Sequence, residues 1–155
     1  MKFTARADID AAQAQVFTAL CDVGAFERMA MRRGIEVVRG DPGAALAPGA
    51  RWDVGFSFRG QRRKMAVHLL EMEVPRFLHY DATGKAIEAE VVLQVVAMSP
   101  RRTRIDVTLD ARARTLPARV ALQALRINRK RHVARFRAAI AELARNVEAR
   151  ANGTA

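Results

Sequence analysis

Strict alternation opens the chain. Phe3, Ala5, Ala7 and Ile9 are separated by Thr4, Arg6 and Asp8, the period of a strand with one buried face. Asp10 offers an N-cap to residues 11–20, an Ala-rich run with Ala12, Val16, Ala19 and Leu20 on one side, which predicts a short amphipathic helix. Asp22 can cap a second short helix that turns Phe26 and Met29 inward and stops at Gly34.

Residues 35–39 read as a strand, and residues 40–49 as a loop rich in Gly, Pro and Ala. Trp52, Val54, Phe56 and Phe58 then alternate with Asp53, Gly55, Ser57 and Arg59, with a turn at Gly60 and Gln61. Residues 62–73 form a strand that is apolar on both faces in its second half. Pro75 and Arg76 connect it to a strand at 77–82, and Gly84 marks the next turn. Ile87, Ala89, Val91, Leu93, Val95 and Ala97 share one face of the following strand; after a turn at 99–102, Ile105, Val107 and Leu109 define the last.

Thr115 can cap the final element, with Pro117 in its first turn. Residues 118–150 contain no Gly or Pro, and Leu122, Leu125, Phe136, Ile140, Leu143 and Val147 recur at helical spacing. An unbroken helix there would be about 48 Å long, against about 40 Å for a compact domain of this size. It must overhang, or its first part must be a separate turn. The order is thus a strand, two short helices, six strands joined by hairpins, and a long helix. This predicts an α+β domain over residues 1–150, in which a curved seven-stranded antiparallel sheet wraps around the C-terminal helix; residues 151–155 are expected to be a disordered tail. Such a sheet leaves a space against its helix, a natural site for a small molecule.

Composition narrows the class. Of 155 residues half are apolar, but 30 are Ala, leaving enough large side chains for one core without much surplus. Cys21 is the only cysteine, so no intramolecular disulfide can form, and a reducing, cytoplasmic compartment is expected. No apolar run is long enough to cross a bilayer. The net charge of +11 is unevenly placed: residues 1–111 carry +2 and residues 112–155 carry +9.

The chain resembles the START and polyketide cyclase superfamily, the SRPBCC or helix-grip proteins, over about residues 2–148. The resemblance rests on the order of several pieces: the first strand ending in Ile9, Asp10 and Ala11; Val16, Phe17, Ala19, Leu20 and Asp22 leading to Phe26; Gly49, Ala50, Arg51 and Trp52 opening the third strand; Pro75 between the fourth and fifth strands; and the terminal helix. Met29 stands near a place where the family often carries a Trp. The resemblance implies a deep cavity between sheet and helix for lipids, polyketides, sterols, hormones or quinone-like molecules, in proteins that are carriers, sensors, cyclases or parts of assemblies. The fold does not choose among these.

Candidate chemistry follows from the same pattern. Trp52, Phe56, Phe58, Leu70, Tyr80, Val91, Val107 and Leu109 are candidate cavity lining on the strands, with Leu125 and Phe136 on the helix. Arg129 and His132 fall in the apolar sector of that helix. They either anchor a polar group of the ligand or sit at the rim of an overhanging helix with Arg129 snorkelling to water, and the length argument favours the rim. His68 shares parity with Leu70 and Met72, while His79 and Tyr80 face opposite sides. Binding of a hydrophobic small molecule or lipid is the leading reading; the alternative is a cyclase or dehydratase using His68, Tyr80 or His132 as acid or base. For each histidine, surface or satisfied packing is the commoner role.

Residues 126–137 hold six Lys or Arg. A solvated basic face is the leading reading of this run, and peripheral attraction to an anionic membrane the next. Nucleic acid is disfavoured, because the cations point around much of the helix with no aromatic platform. Asp106 with Asp110, and Glu88 with Glu90, lie on polar faces of their strands. No metal-ligand spacing, phosphate loop or nucleophile elbow is present, so neither metal nor cofactor is expected.

Overall fold

The computed structural model describes residues 1–153 except Arg59; that residue of the predicted third strand, and Thr154 and Ala155 of the predicted tail, lie outside the described residues. The elements run β1 (Lys2–Ile9), α1 (Gln13–Leu20), α2 (Val23–Arg32), β2 (Glu36–Arg39), β3 (Arg51–Phe58), β4 (Gln61–Glu73), β5 (Phe77–Gly84), β6 (Ile87–Ser99), β7 (Arg102–Ala113), α3 (Leu116–Leu125) and α4 (Arg129–Ala151). The seven strands form one antiparallel sheet in the order β1-β7-β6-β5-β4-β3-β2. This is the α+β helix-grip architecture expected from the hairpin order. No helix among the described residues is long and apolar enough to cross a membrane.

One face of the sheet is apolar. Ile9, Leu69, Leu78, Val95 and Ile105 are at most 1% exposed. Helix α4 lies over β1 and against α1, presenting Ile140, Ala144 and Val147 at the i, i+4, i+7 spacing of a single stripe. Thr103, fully buried and polar and alone in this among the described residues, donates from Oγ1 to the Ala11 carbonyl at 2.8 Å, so its burial is satisfied. The outer face is charged and cross-linked between strands: Arg104 and Arg102 reach Asp8, and Arg6 reaches Asp106. Asp106, Asp110 and Glu90 thus have basic partners on the solvent side.

Two local expectations are corrected, and one open alternative is decided. Asp10 does not cap α1. Ala12 holds the N-cap position with no side-chain bond, because the buried Ala11, its carbonyl taken by Thr103, keeps residues 10–12 out of the helix. Asp22 does cap α2, accepting from the Ala25 N–H at 3.1 Å, and Gly34 leaves that helix at φ +75°. The second correction lies in β4, where the register shifts between Leu69 and Glu71, a bulge at Leu70. Parity is reversed beyond it: Val67 and Leu69 face the core before the bulge and Met72 after it, leaving Leu70 exposed. Of the two arrangements left open for the C-terminal run, the one with a separate first part is found: the run is two helices. The backbone departs at Asn128 (φ −112°, ψ 34°), and α4 alone, 23 residues and about 35 Å, fits the width of the domain. In the expected tail, Ala151 ends α4 and Asn152 closes it, its side chain donating to the Asp10 carbonyl.

Truncating the seam between sheet and helix is expected to be costly. Ile105→Ala should lower the unfolding free energy by about 2–5 kcal/mol in a urea titration, while Val96→Ala on the outer face, 41% exposed, should change it by no more than about 0.5 kcal/mol.

Candidate ligand cavity

Helix α4 covers the β1 side of the apolar face and α1 sits near β6 and β7. Over β3, β4 and β5 a cavity of about 560 Å³ remains, bounded by those strands with β6 and β7, by α4, and on its outer side by α2 and the loop after β2. Its wall is almost wholly apolar. The sheet contributes Trp52, Val54, Val67, Leu78, Tyr80, Val91, Leu93, Val107 and Leu109; α4 contributes Phe136, Ala139, Ile140 and Leu143. Cross-strand pairing explains the set, because Trp52 is opposite Val67, Leu69 opposite Tyr80, and Tyr80 in turn opposite Val91 and then Leu109, all with side chains on one face.

Of the residues named from sequence, Trp52, Tyr80, Val91, Val107, Leu109 and Phe136 line this space. The others are placed elsewhere. Phe56 and Phe58 carry the same parity towards the β3–β4 connection, past the cavity's end, and Phe58 is half exposed. Leu70 is turned out by the bulge. Leu125 belongs to α3 and lies outside the lining. Arg129 begins α4, where its guanidinium donates to the Lys2 carbonyl at 3.2 Å and lies 5.6 Å from the Phe3 ring centre; it ties the helix to β1 and does not reach the cavity. His132, one turn on, is half-buried and outside the lining. His68 is on the outer face, its Nδ1 3.1 Å from Asp81 Oδ1.

Sequence reasoning missed most of the outer wall. Phe26 and Met29 were legible as the inward side of α2, but Ala30, Arg33, Ile35, Val37 and Leu46 also face the space. Leu46 sits in a loop of Ala, Pro and Gly with no periodicity to reveal it. Arg33, at the C-terminus of α2, pairs with Glu142 of α4, and both side chains are about half exposed. The Arg33 hydrogen bond holds the Glu142 carboxyl below its ordinary range. Asn146 of α4 donates to the Met29 sulfur at 3.5 Å, a second tie between these helices.

Tyr80 of β5 sets a phenol among the apolar side chains of the wall. Its ring lies 6.2 Å from that of Trp52, and burial, with Cys21 nearby as a lesser influence, pushes the phenol up to about 12. Burial also pushes the Cys21 thiol up to about 11, so it is not a thiolate nucleophile at neutral pH. A phenol held neutral donates a hydrogen bond; it is a poor base.

Comparison with known proteins returns the fold and little more. No family model matches the chain, and no curated protein matches it. Among solved structures it is similar to TTHA0849 from Thermus thermophilus (TM-score 0.70, 14% identity, covering 100% of this chain and 99% of the other). It is similar also to the Zhui aromatase/cyclase from a Streptomyces species (0.68, 15%, 98% and 93%), and to a START superfamily protein from Mycobacterium smegmatis (0.55, 14%, 86% and 95%). The chain therefore has the helix-grip fold of the START and polyketide cyclase superfamily. At these identities the likeness speaks for architecture alone.

The chain has one tyrosine and one tryptophan, so the cavity can be read optically. Alkaline titration followed by tyrosinate absorbance should show a single midpoint near 12 in the native protein, against about 10 after denaturation. The unfolded state loses its proton first, so this group's contribution to stability is full below pH 10 and is lost as pH rises towards 12.

Proposed function

We propose that the protein binds a hydrophobic small molecule or lipid in the cavity between sheet and α4, with residues 1–150 acting as one binding unit of the carrier or sensor kind. The observation that carries this reading is the cavity itself: about 560 Å³ walled by aliphatic and aromatic side chains, within the size range of small-molecule sites. A guest burying about 300 Å² of apolar surface gains about 7 kcal/mol, and the loss of translational and rotational freedom offsets several of these. The few polar groups then decide which guest is held. Tyr80 can donate to a hydroxyl or carbonyl deep in the site, and Arg33 and Glu142 border it nearer the surface.

The binding reading is favoured over a cyclase. Of the three acid or base candidates, His68 and His132 lie outside the lining and Tyr80 is held as a neutral donor. An unpaired Cys21 with a neutral thiol suits a reducing, cytoplasmic setting. A carrier of an oily guest also has to meet lipid, and the charge of residues 112–155 favours an anionic surface.

Naphthalene and naphthol, titrated against Trp52 emission, test the reading. Both are expected to give saturable quenching. Leu143→Arg, which sets a charge in the apolar wall, should weaken both at least about tenfold. Tyr80→Phe should weaken naphthol about fivefold, the worth of one hydrogen bond, and leave naphthalene unchanged. Quenching that does not saturate, or that Leu143→Arg leaves intact, would remove the cavity as the site.

A further inference from the structure

Helix α3 buries Ala118 alone, and the side it turns to solvent is apolar. Leu116, Val120 and Ile127 are 71%, 59% and 84% exposed. They are spaced by four and seven residues and, with Ala124, make one stripe along the helix. The stripe runs past the last residue of α3 because Arg126 keeps helical angles (φ −63°, ψ −28°). Arg119 and Arg126 flank it, and Lys130, Arg131, Arg135 and Arg137 continue the positive charge into α4. Among the described residues none of these six cations makes an ion pair. No Asp or Glu occurs between Asp110 and Glu142.

Each feature by itself is ordinary, since lone exposed aliphatics and solvated basic runs are common. Their coincidence on one short helix is complementary to an anionic bilayer, where aliphatic side chains enter the headgroup boundary and arginines meet phosphates. Nucleic acid would use the cations and gain nothing from the stripe. A second copy of the chain would cover the stripe but bring like charges together. We propose that α3 and the first turns of α4 form a docking surface for anionic lipid bilayers, with Leu116, Val120 and Ile127 as the inserted edge. No residue of α3 lines the cavity, so the proposal shares with the functional reading only the choice of an anionic surface and stands whether or not the cavity holds a guest.

Co-sedimentation of guest-free protein with vesicles decides it. With phosphatidylcholine vesicles containing about a third phosphatidylglycerol, binding is expected to exceed that to pure phosphatidylcholine at least about tenfold and to fall with added salt. The double variant Val120→Asn, Ile127→Asn should weaken it about tenfold. Arg119→Gln and Arg126→Gln should each cost about fivefold. All four side chains are exposed, so circular dichroism and naphthalene binding should stay as in the wild type, which separates loss of docking from loss of fold or of the cavity. Equal binding to neutral vesicles, no vesicle binding, or undiminished binding of the double Asn variant would overturn the proposal. So would retention of duplex DNA in preference to vesicles, or a concentration-dependent dimer that Ile127→Asn dissolves.

Discussion

The concave face of the sheet is apolar across most of its width, yet the helix that covers it reaches only one side. Helix α4 lies against β1, and its Ile140, Ala144 and Val147 join Ile9, Val95 and Ile105 of the sheet in one core. Interiors of proteins pack nearly as densely as organic crystals, so an apolar wall left without close cover is not a neutral feature. Here the uncovered part lies over β3, β4 and β5 and holds the cavity. The same asymmetry divides the molecule by role: the β1 side provides stability, and the β3 side, bounded by α2, provides the space.

Burial also sets the chemistry of that space. The Tyr80 phenol is pushed towards its neutral form, because a low-dielectric wall penalises charge. At the margin Arg33 and Glu142 neutralise each other, and Glu27 and Asp81 also border the space. A site arranged in this way rewards shape and a single well-placed hydrogen bond, and it gives little help to a reaction that must create charge in its depth.

Much of this was legible in the chain. The alternation of β1, β3, β6 and β7 identified their buried faces, and hairpin spacing alone gave an antiparallel sheet. Three signals were not legible, each for a physical reason. Leu70 belongs to an apolar run in which either parity is plausible, so the bulge that turns it outward leaves no trace in composition. The break at Asn128 has no Gly or Pro to announce it; only the mismatch of about 48 Å of helix against a domain about 40 Å wide hinted at it. Without that break Leu125, Arg129 and His132 would fall in one sector with Phe136. The outer wall comes from α2 and an irregular loop, where side-chain direction has no period to follow.

Helix α2 has no fully buried side chain; Val23 and Phe26 pack against the core only in part. It is fastened by Arg33 to Glu142, by Met29 to Asn146, and by Arg150, whose guanidinium lies 5.5 Å from the Phe26 ring centre and 3.8 Å from Asp22. The Arg33–Glu142 pair is half exposed, so it is weak and screened by salt, whereas Asn146 and Arg150 are largely covered. No side chain of α2 is fully buried, so it is held less firmly than the seam between α4 and β1. A guest entering from that side would have to part the contacts of α2 and would leave the covered face over β1 as it is.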